Sequence, residues 1–189
     1  MAQQAQQTKK GKKKWYTVFA SDLFNKVVLG EVLAYSSESL IGRSLWVNLS
    51  QLNRDMRSQH IRIRFKIKEV KGDKAETEIV GYDVVGTFVK RIVRSTKDKI
   101  DDSFAAETKE KIKLRVKTIY LTRNNTQRSR STNIKKQARE EIQALLKDMS
   151  YDDFIFNVST NKIQRTLKTT LSKIYPLQSV EVRAIERLA

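Results

Sequence analysis

No cysteine occurs in the 189 residues. Disulfides, thiolate metal sites and cysteine nucleophiles are therefore excluded together, and the composition suits a reducing interior. A single histidine, His60, removes every site that needs two imidazoles, including most zinc enzymes and the His-Glu-x-x-His hydrolases. Proline is present once, at Pro176, and the six glycines form neither Gly-x-Gly-x-x-Gly nor Gly-Lys-Ser/Thr, so no phosphate-cradling loop of those types exists. No apolar run approaches the roughly 18 residues that a membrane span requires. The short, mostly apolar stretch from Trp15 to Ala20 behind the basic start is too brief for a secretory core, which gives the expectation that the protein is not exported.

Acidic residues are scarce where basic ones are dense. The chain has 38 Lys+Arg against 21 Asp+Glu, a net charge of +17, and a pI near 10.1. Residues 1 to 14 carry five lysines and no acid, behind a Gln-rich lead. Residues 109 to 139 carry eleven bases against Glu110 alone, a net +10, which leaves 22 bases against 20 acids elsewhere. A generally Lys-rich surface would spread its excess; concentration in a tail and one stretch points to a polyanionic partner. With hydrophobics at 39% the chain is far from the disordered extreme, and its length allows one domain, or one domain with an appendage. The expected organisation is a basic RNA-binding tail, 1–14, and a single globular domain, 15–189, with a basic loop at 122–133.

Hydrophobic periodicity outlines the body. The segment from Trp15 to Phe19, Val27 to Ala34 and Leu45 to Leu49 read as short strands. From residue 61, Ile61, Ile63, Phe65 and Ile67 alternate with Arg62, Arg64, Lys66 and Lys68, a period of two with one apolar and one cationic face. Lys71-Gly72-Asp73-Lys74 is turn chemistry that returns the chain as a hairpin. Phe88, Ile92 and Val93 suggest a helix from Gly86 to about Lys99. Ile100 to Ala106 and Lys111 to Leu121 form a second strand pair, and Lys111, Lys113, Arg115 and Lys117 repeat the cationic alternation. The polar loop 122–133 has nothing to bury and is expected to be mobile until a partner orders it. Helices follow, one marked by Ile134, Ala138, Ile142, Leu145 and Met149, a short one capped at Ser150, and one by Ile163, Leu167, Leu171 and Ile174 that Pro176 stops. Val180, Val182 and Ile185 read as a final edge strand or extended tail. Strands first and helices afterwards argue an α+β fold, with the helices mostly C-terminal.

Cationic strand faces and an Arg-rich loop suit the phosphate backbone of a nucleic acid. RNA is favoured over DNA. No helix-turn-helix or zinc finger is present, and the charge sits on strands, loop and tail rather than on one recognition helix. Trp15, Tyr16 and Tyr120 are placed to stack on unpaired bases; the competing reading, favoured for Trp15 and Trp46, is that the aromatics are core or strand-face residues. The candidate RNA contacts are Lys9, Lys10, Lys12, Lys13, Lys14, Trp15 and Tyr16 at the start; Arg62, Arg64, Lys66 and Lys68; Lys111, Lys113, Arg115 and Lys117; and Arg123, Arg128, Arg130, Lys135, Lys136 and Arg139. Enzymatic readings fare badly. The pairs Asp101-Asp102 and Asp152-Asp153 are poorly placed to share a metal, and His60 reads as a surface or phosphate contact rather than a base. A membrane surface would want a basic amphipathic helix in place of strands and loop. No cofactor, metal or small-molecule substrate is expected, and no membrane partner; a free RNA-binding or RNA-chaperone factor is the alternative reading.

Several local patterns resemble a known family. Lys14-Trp15-Tyr16 after a basic tail, Ile41-Gly42-Arg43, Leu49 to Asp55, Gln59-His60 before the charged strand, and Ile174-Tyr175-Pro176-Leu177 before Val180-Glu181-Val182-Arg183 occur in the order seen in the archaeal and eukaryotic small-subunit ribosomal protein family S3Ae. The length is of the archaeal type. The resemblance implies a structural constituent of the small ribosomal subunit, in the cytoplasm, with a β-barrel-like antiparallel core and flanking helices. It also implies a place on the platform near the messenger exit, contacts with ribosomal RNA and neighbouring ribosomal proteins, messenger RNA as a further partner, and no catalytic residues. Thr108-Lys109-Glu110-Lys111 stands where relatives tend to have an Asp-Gly turn.

Overall fold

A computed structural model describes residues 12–188. In chain order the strands are β1 (Lys14–Phe19), β2 (Val28–Ala34), β3 (Ser44–Asn48), β4 (Ile61–Lys71), β5 (Lys74–Val84), β6 (Lys99–Glu107), β7 (Lys113–Thr122) and β8 (Leu177–Arg187). The α-helices are α1 (Leu49–Asn53), α2 (Gly86–Ile92), α3 (Arg128–Asp148), α4 (Tyr151–Ser159) and α5 (Lys162–Leu171). The fold is α+β with its longer helices C-terminal, as the pattern of the sequence requires. The strands join one sheet in the order β2-β1-β5-β8-β7-β6, with β4 paired to β3 and β5 off that path. This sheet is open. The expected barrel-like closure does not occur, and one neighbouring pair, β1 with β5, is parallel rather than antiparallel.

The chain divides into two compact units. The first runs to Leu45 and includes Phe65–Glu78. Here β1 pairs antiparallel with β2, Trp15 opposite Leu33, and parallel with the start of β5, Thr17 opposite Lys74. Side chains of alternate parity on β1, Tyr16 and Val18, turn inward and pack with Ala34, Leu40, Ile67 and Ala75. Phe24 meets Phe65 edge-on at 6.1 Å. Burial of each large apolar side chain of this kind stabilises by about 1.5–3 kcal/mol. Gly72, at φ 62°, takes the left-handed position in the β4–β5 turn, where a side chain would be strained.

The second unit comprises Trp46–Arg64 and the chain from Ile79 onward. Its sheet pairs β5 with β8 (Tyr82 opposite Ile185), β8 with β7 (Val116 opposite Ile185) and β7 with β6 (Val116 opposite Phe104). β8 is therefore an interior strand, not the edge strand or tail expected from its mixed polarity. Gly81 explains part of this seating, because a Cβ there would stand 3.2 Å from the Ile185 carbonyl oxygen. Helix α3 packs on β6, α5 on β8, and α4 on α5. Ile134, Ala138, Ile142 and Leu146, four residues apart, are the buried stripe of α3. Leu146 takes the inward place that the sequence spacing assigned to Leu145, and Met149 caps the helix end. At the start of α4 the Ser150 hydroxyl accepts from the Asp153 N–H at 3.2 Å, the expected cap.

Three other boundaries differ from expectation. α2 ends at Ile92, because Val93 is extended at φ −79°, ψ 122°. β7 begins at Lys113, since Lys111 occupies a left-handed turn position at φ 59° and its N–H bonds the Thr108 carbonyl at 2.9 Å. α3 begins at Arg128, inside the segment read as loop; the Thr132 hydroxyl turns back to the Arg128 carbonyl at 3.0 Å, a use of Ser/Thr that composition does not distinguish from a loop.

Glu181, on interior strand β8, has its pKa raised to about 7 by burial. Its protonated form is thus favoured in the folded state, so between the ordinary carboxylate pKa and about 7 the folded state binds more protons and stability falls as pH rises. Glu181→Gln is expected to flatten this decline and raise the denaturation midpoint at pH 8, as followed by thermal melts from pH 4.5 to 8. An unchanged pH profile would contradict the assignment.

Candidate nucleic-acid interface

Part of each cationic row expected from the sequence, Arg62 and Arg64 of β4 and Arg115 and Lys117 of β7, lies on one sheet face of the second unit. Side chains of paired residues on adjacent strands point to the same side of a sheet. Gly81 and Asp83 of β5 lie opposite Glu186 and Ala184 of β8, and these in turn lie opposite Arg115 and Lys117 of β7. Arg62 reaches Asp83 at 3.0 Å, and Arg64 lies against the Cα of Gly81, where an added Cβ would stand 3.6 Å from the Arg64 Cβ. Arg62, Arg64, Arg115 and Lys117 therefore share a face. The rows on β4 and β7 are three strand spacings apart, about 14 Å.

Two acids lie between the rows and each is tied to a cation. Asp83 holds Arg62, and Glu186 holds Lys117 at 2.7 Å. These pairs are partly exposed, so each contributes at most about 1 kcal/mol to stability, and their main effect is to fix where the cationic groups stand. Trp46 of β3 lies beside them, with the Arg62 and Arg64 guanidinium carbons 5.7 and 5.9 Å from its ring centroid. It is 49% exposed. Of the two alternatives, core or strand face, Trp46 takes the strand face, because Val47 is the inward residue of β3 and the neighbouring parity faces solvent.

α3 covers the opposite face. On β6 the inward residues are Ile100, Asp102, Phe104 and Ala106, and Arg139 of α3 grips Asp102 with two hydrogen bonds, one from Nε to Oδ2 at 2.7 Å and one from Nη2 to Oδ1. The Asp102 side chain is 3% exposed. These hydrogen bonds raise the Arg139 pKa, and Arg139 also lies over the Phe104 ring. It thus forms a structural ion pair while its side chain stays 46% exposed. Arg128, Arg130, Lys135 and Lys136 are exposed or half-exposed on α3, and a groove of about 330 Å³ is lined by Thr132, Lys135, Lys136, Arg139, Glu140 and Gln143. The first turn of α3 carries Arg128 and Arg130 and no acid, the reverse of what the helix dipole favours, so an anion there would relieve rather than add strain.

The segment between β7 and α3 is tied down, not free. Arg123 N–H donates to the Pro176 carbonyl at 3.1 Å, Thr126 N–H to Asp98 Oδ2 at 2.6 Å, and the Tyr175 hydroxyl to the Asn125 carbonyl at 3.0 Å. Arg130 lies over the Tyr175 ring at 5.6 Å. Partners distant in sequence supply this order, which local composition cannot reveal.

The remaining candidates sort by exposure. Lys12, Lys13 and Lys14 are exposed, Lys13 lies 5.2 Å over the Tyr35 ring, and Trp15 is 63% exposed; Lys9 and Lys10 lie outside the described residues. Lys66 and Lys68 are exposed on the part of β4 in the first unit, Lys113 at the start of β7, and Lys111 in the turn before it. Tyr16 and Tyr120 are buried, and burial pushes the Tyr120 hydroxyl up to about 12, so neither ring is presented for stacking. His60 stacks on Phe88 at 3.9 Å, and burial, partly opposed by a backbone hydrogen bond, lowers its pKa, which makes it a neutral packing group rather than a phosphate contact. Asp101 pairs with Lys99 at 2.6 Å while Asp102 points the other way; among the described residues no group of three or more His, Cys, Asp or Glu is arranged to hold a metal.

The model of the ribosomal S3Ae family matches residues 2–189. The chain belongs to that family. It is 33% identical over 165 residues to the small ribosomal subunit protein eS1 of Nanoarchaeum equitans, covering 87% of this chain and 83% of the relative. The eS1 proteins of Saccharolobus islandicus and Methanoculleus marisnigri are 30% and 28% identical, each over 170 residues, 90% of this chain and 82% and 86% of theirs. In this S3Ae chain the ion-paired Arg139 and the exposed cations make separable contributions. Arg139→Ala leaves Asp102 buried without a partner and is expected to lower stability by about 1–3 kcal/mol, whereas Lys136→Ala should shift it by less than about 0.5 kcal/mol. Urea denaturation of the two variants measures the difference; equal effects would refute the structural role of Arg139.

Proposed function

We propose that this S3Ae protein is a structural, non-catalytic constituent of the small ribosomal subunit in the cytoplasm, binding ribosomal RNA through its phosphates and contacting neighbouring ribosomal proteins. The observation that carries the reading is the register that gathers Arg62, Arg64, Arg115 and Lys117 on one face of the sheet. Such a surface neutralises phosphates and releases counterions without reading sequence, which suits a protein whose partner is fixed by assembly. The exposed cations of α3 and the lysines from Lys9 to Lys14 extend the contact, with residues 1–14 as a basic tail. A position on the platform near the messenger exit, with messenger RNA as an additional partner, completes the proposal and rests on family resemblance.

Sedimentation through sucrose at low and high salt tests the reading against that of a free RNA-binding factor. Co-migration with the small subunit in both conditions is expected; recovery at the top of the gradient at low salt would overturn it. Replacing the five lysines from Lys9 to Lys14 with alanine should weaken RNA binding and flatten the salt dependence by roughly 0.7 to 0.9 log units for each phosphate no longer neutralised. An unchanged slope would remove the tail from the interface.

A further inference from the structure

Among the described residues Trp46 is the large aromatic ring that stands on the cationic sheet face, and its setting differs from that of a packed strand residue. Leu45 and Val47, on either side of it, turn inward, while the indole stands half exposed on the opposite side of β3. Arg62 and Arg64, alternate residues of the adjacent strand β4, both place their guanidinium groups within cation–π range of the ring. Asp83 holds Arg62 in this position. A hydrated indole of this size represents apolar area that gains free energy when covered, and the two guanidiniums give its surroundings positive charge.

We infer that Trp46 is a stacking platform for an unpaired base of ribosomal RNA, with Arg62 and Arg64 receiving the phosphates on either side of that nucleotide. The inference rests on the proposed RNA-binding function and specifies the kind of RNA segment the face accepts. In an A-form duplex both faces of each base are occupied by its neighbours, and only edges and 2′-hydroxyls are displayed, in the wide, shallow minor groove, the major groove being too narrow for side chains. Only an unpaired nucleotide offers a free π-face to an exposed ring, and stacking of this kind tolerates any base. The flanking cations supply what a ring alone lacks, attraction for the sugar-phosphate chain that the base brings with it.

The chain has two tryptophans, so the Trp15→Phe variant of the full-length protein reports on Trp46 alone. Its fluorescence should be quenched by a single-stranded oligouridylate of about twelve nucleotides and left nearly unchanged by an RNA duplex of about twelve base pairs. Trp46→Ala should weaken oligouridylate binding roughly tenfold while sparing duplex binding, and Trp46→Tyr should restore most of the loss. Arg64→Ala should weaken both ligands and reduce the salt slope. Equal losses for both ligands with Trp46→Ala, or no loss for either, would overturn the stacking role while leaving phosphate binding intact. A photo-crosslinker at position 46 in assembled subunits should attach to RNA; attachment to protein would likewise overturn it. Failure of the unmodified protein to bind either RNA would bring down the RNA-binding function itself together with this inference.

Discussion

The seating of β8 between β5 and β7 is the constraint on which the cationic face depends. Antiparallel pairing sets side chains of opposed residues on the same side, so once Gly81 faces Glu186 and Glu186 faces Arg115, the β4 and β7 rows have no freedom to point apart. A slip of one residue in either pairing would turn one row into the core and bring Val116 or Ile185 out to solvent. Close approach at Gly81 and burial of Ile185 both resist such a slip. Binding geometry and core packing are therefore one arrangement viewed from two sides of the sheet.

Charge in this protein serves two purposes that composition alone merges. Arg139, half exposed itself, serves the interior through Asp102, which is buried and whose carboxylate requires a partner in place of water. Arg62 and Lys117 are held by Asp83 and Glu186 at the surface, where the energy is small but the orientation is fixed. The exposed cations of α3 lie on the other side of the sheet from the β4 and β7 rows, so the second unit presents charge in two directions. A polyanion that folds around a protein can use both, whereas a small ligand can use only one.

Much of the body is legible from the period-two alternation at Ile61 to Lys68 and at Lys113 to Lys117, since strand burial repeats every second residue whatever the partner. The cap at Ser150 and the stop before Pro176 are legible for equally local reasons. The start of α3 is not, because Ser, Thr and Asn bond the backbone in loops and in helices alike, and only Asp98, Tyr175 and Pro176 decide that the preceding segment is tied down. That Trp46 takes the strand-face alternative and not the core one has a related cause. Large aromatic residues are usually buried, and its inward or outward parity follows from Val47 and the strand pairing rather than from its own chemistry.

By itself the sequence determined that this chain carries a concentrated positive charge, that its strands have a cationic side and an apolar side, and that it lacks the residues of common metal, thiol and nucleotide-loop chemistry. Those properties are local sums and periods, readable one segment at a time. Tertiary structure alone decided that β8 is interior, that the sheet stays open, that Arg139 pairs with Asp102, and that Arg62 and Arg64 of β4 share a face with Arg115, Lys117 and Trp46. The physical reason is that pairing register and burial are properties of residues far apart in the chain, and they are settled only when the strands meet.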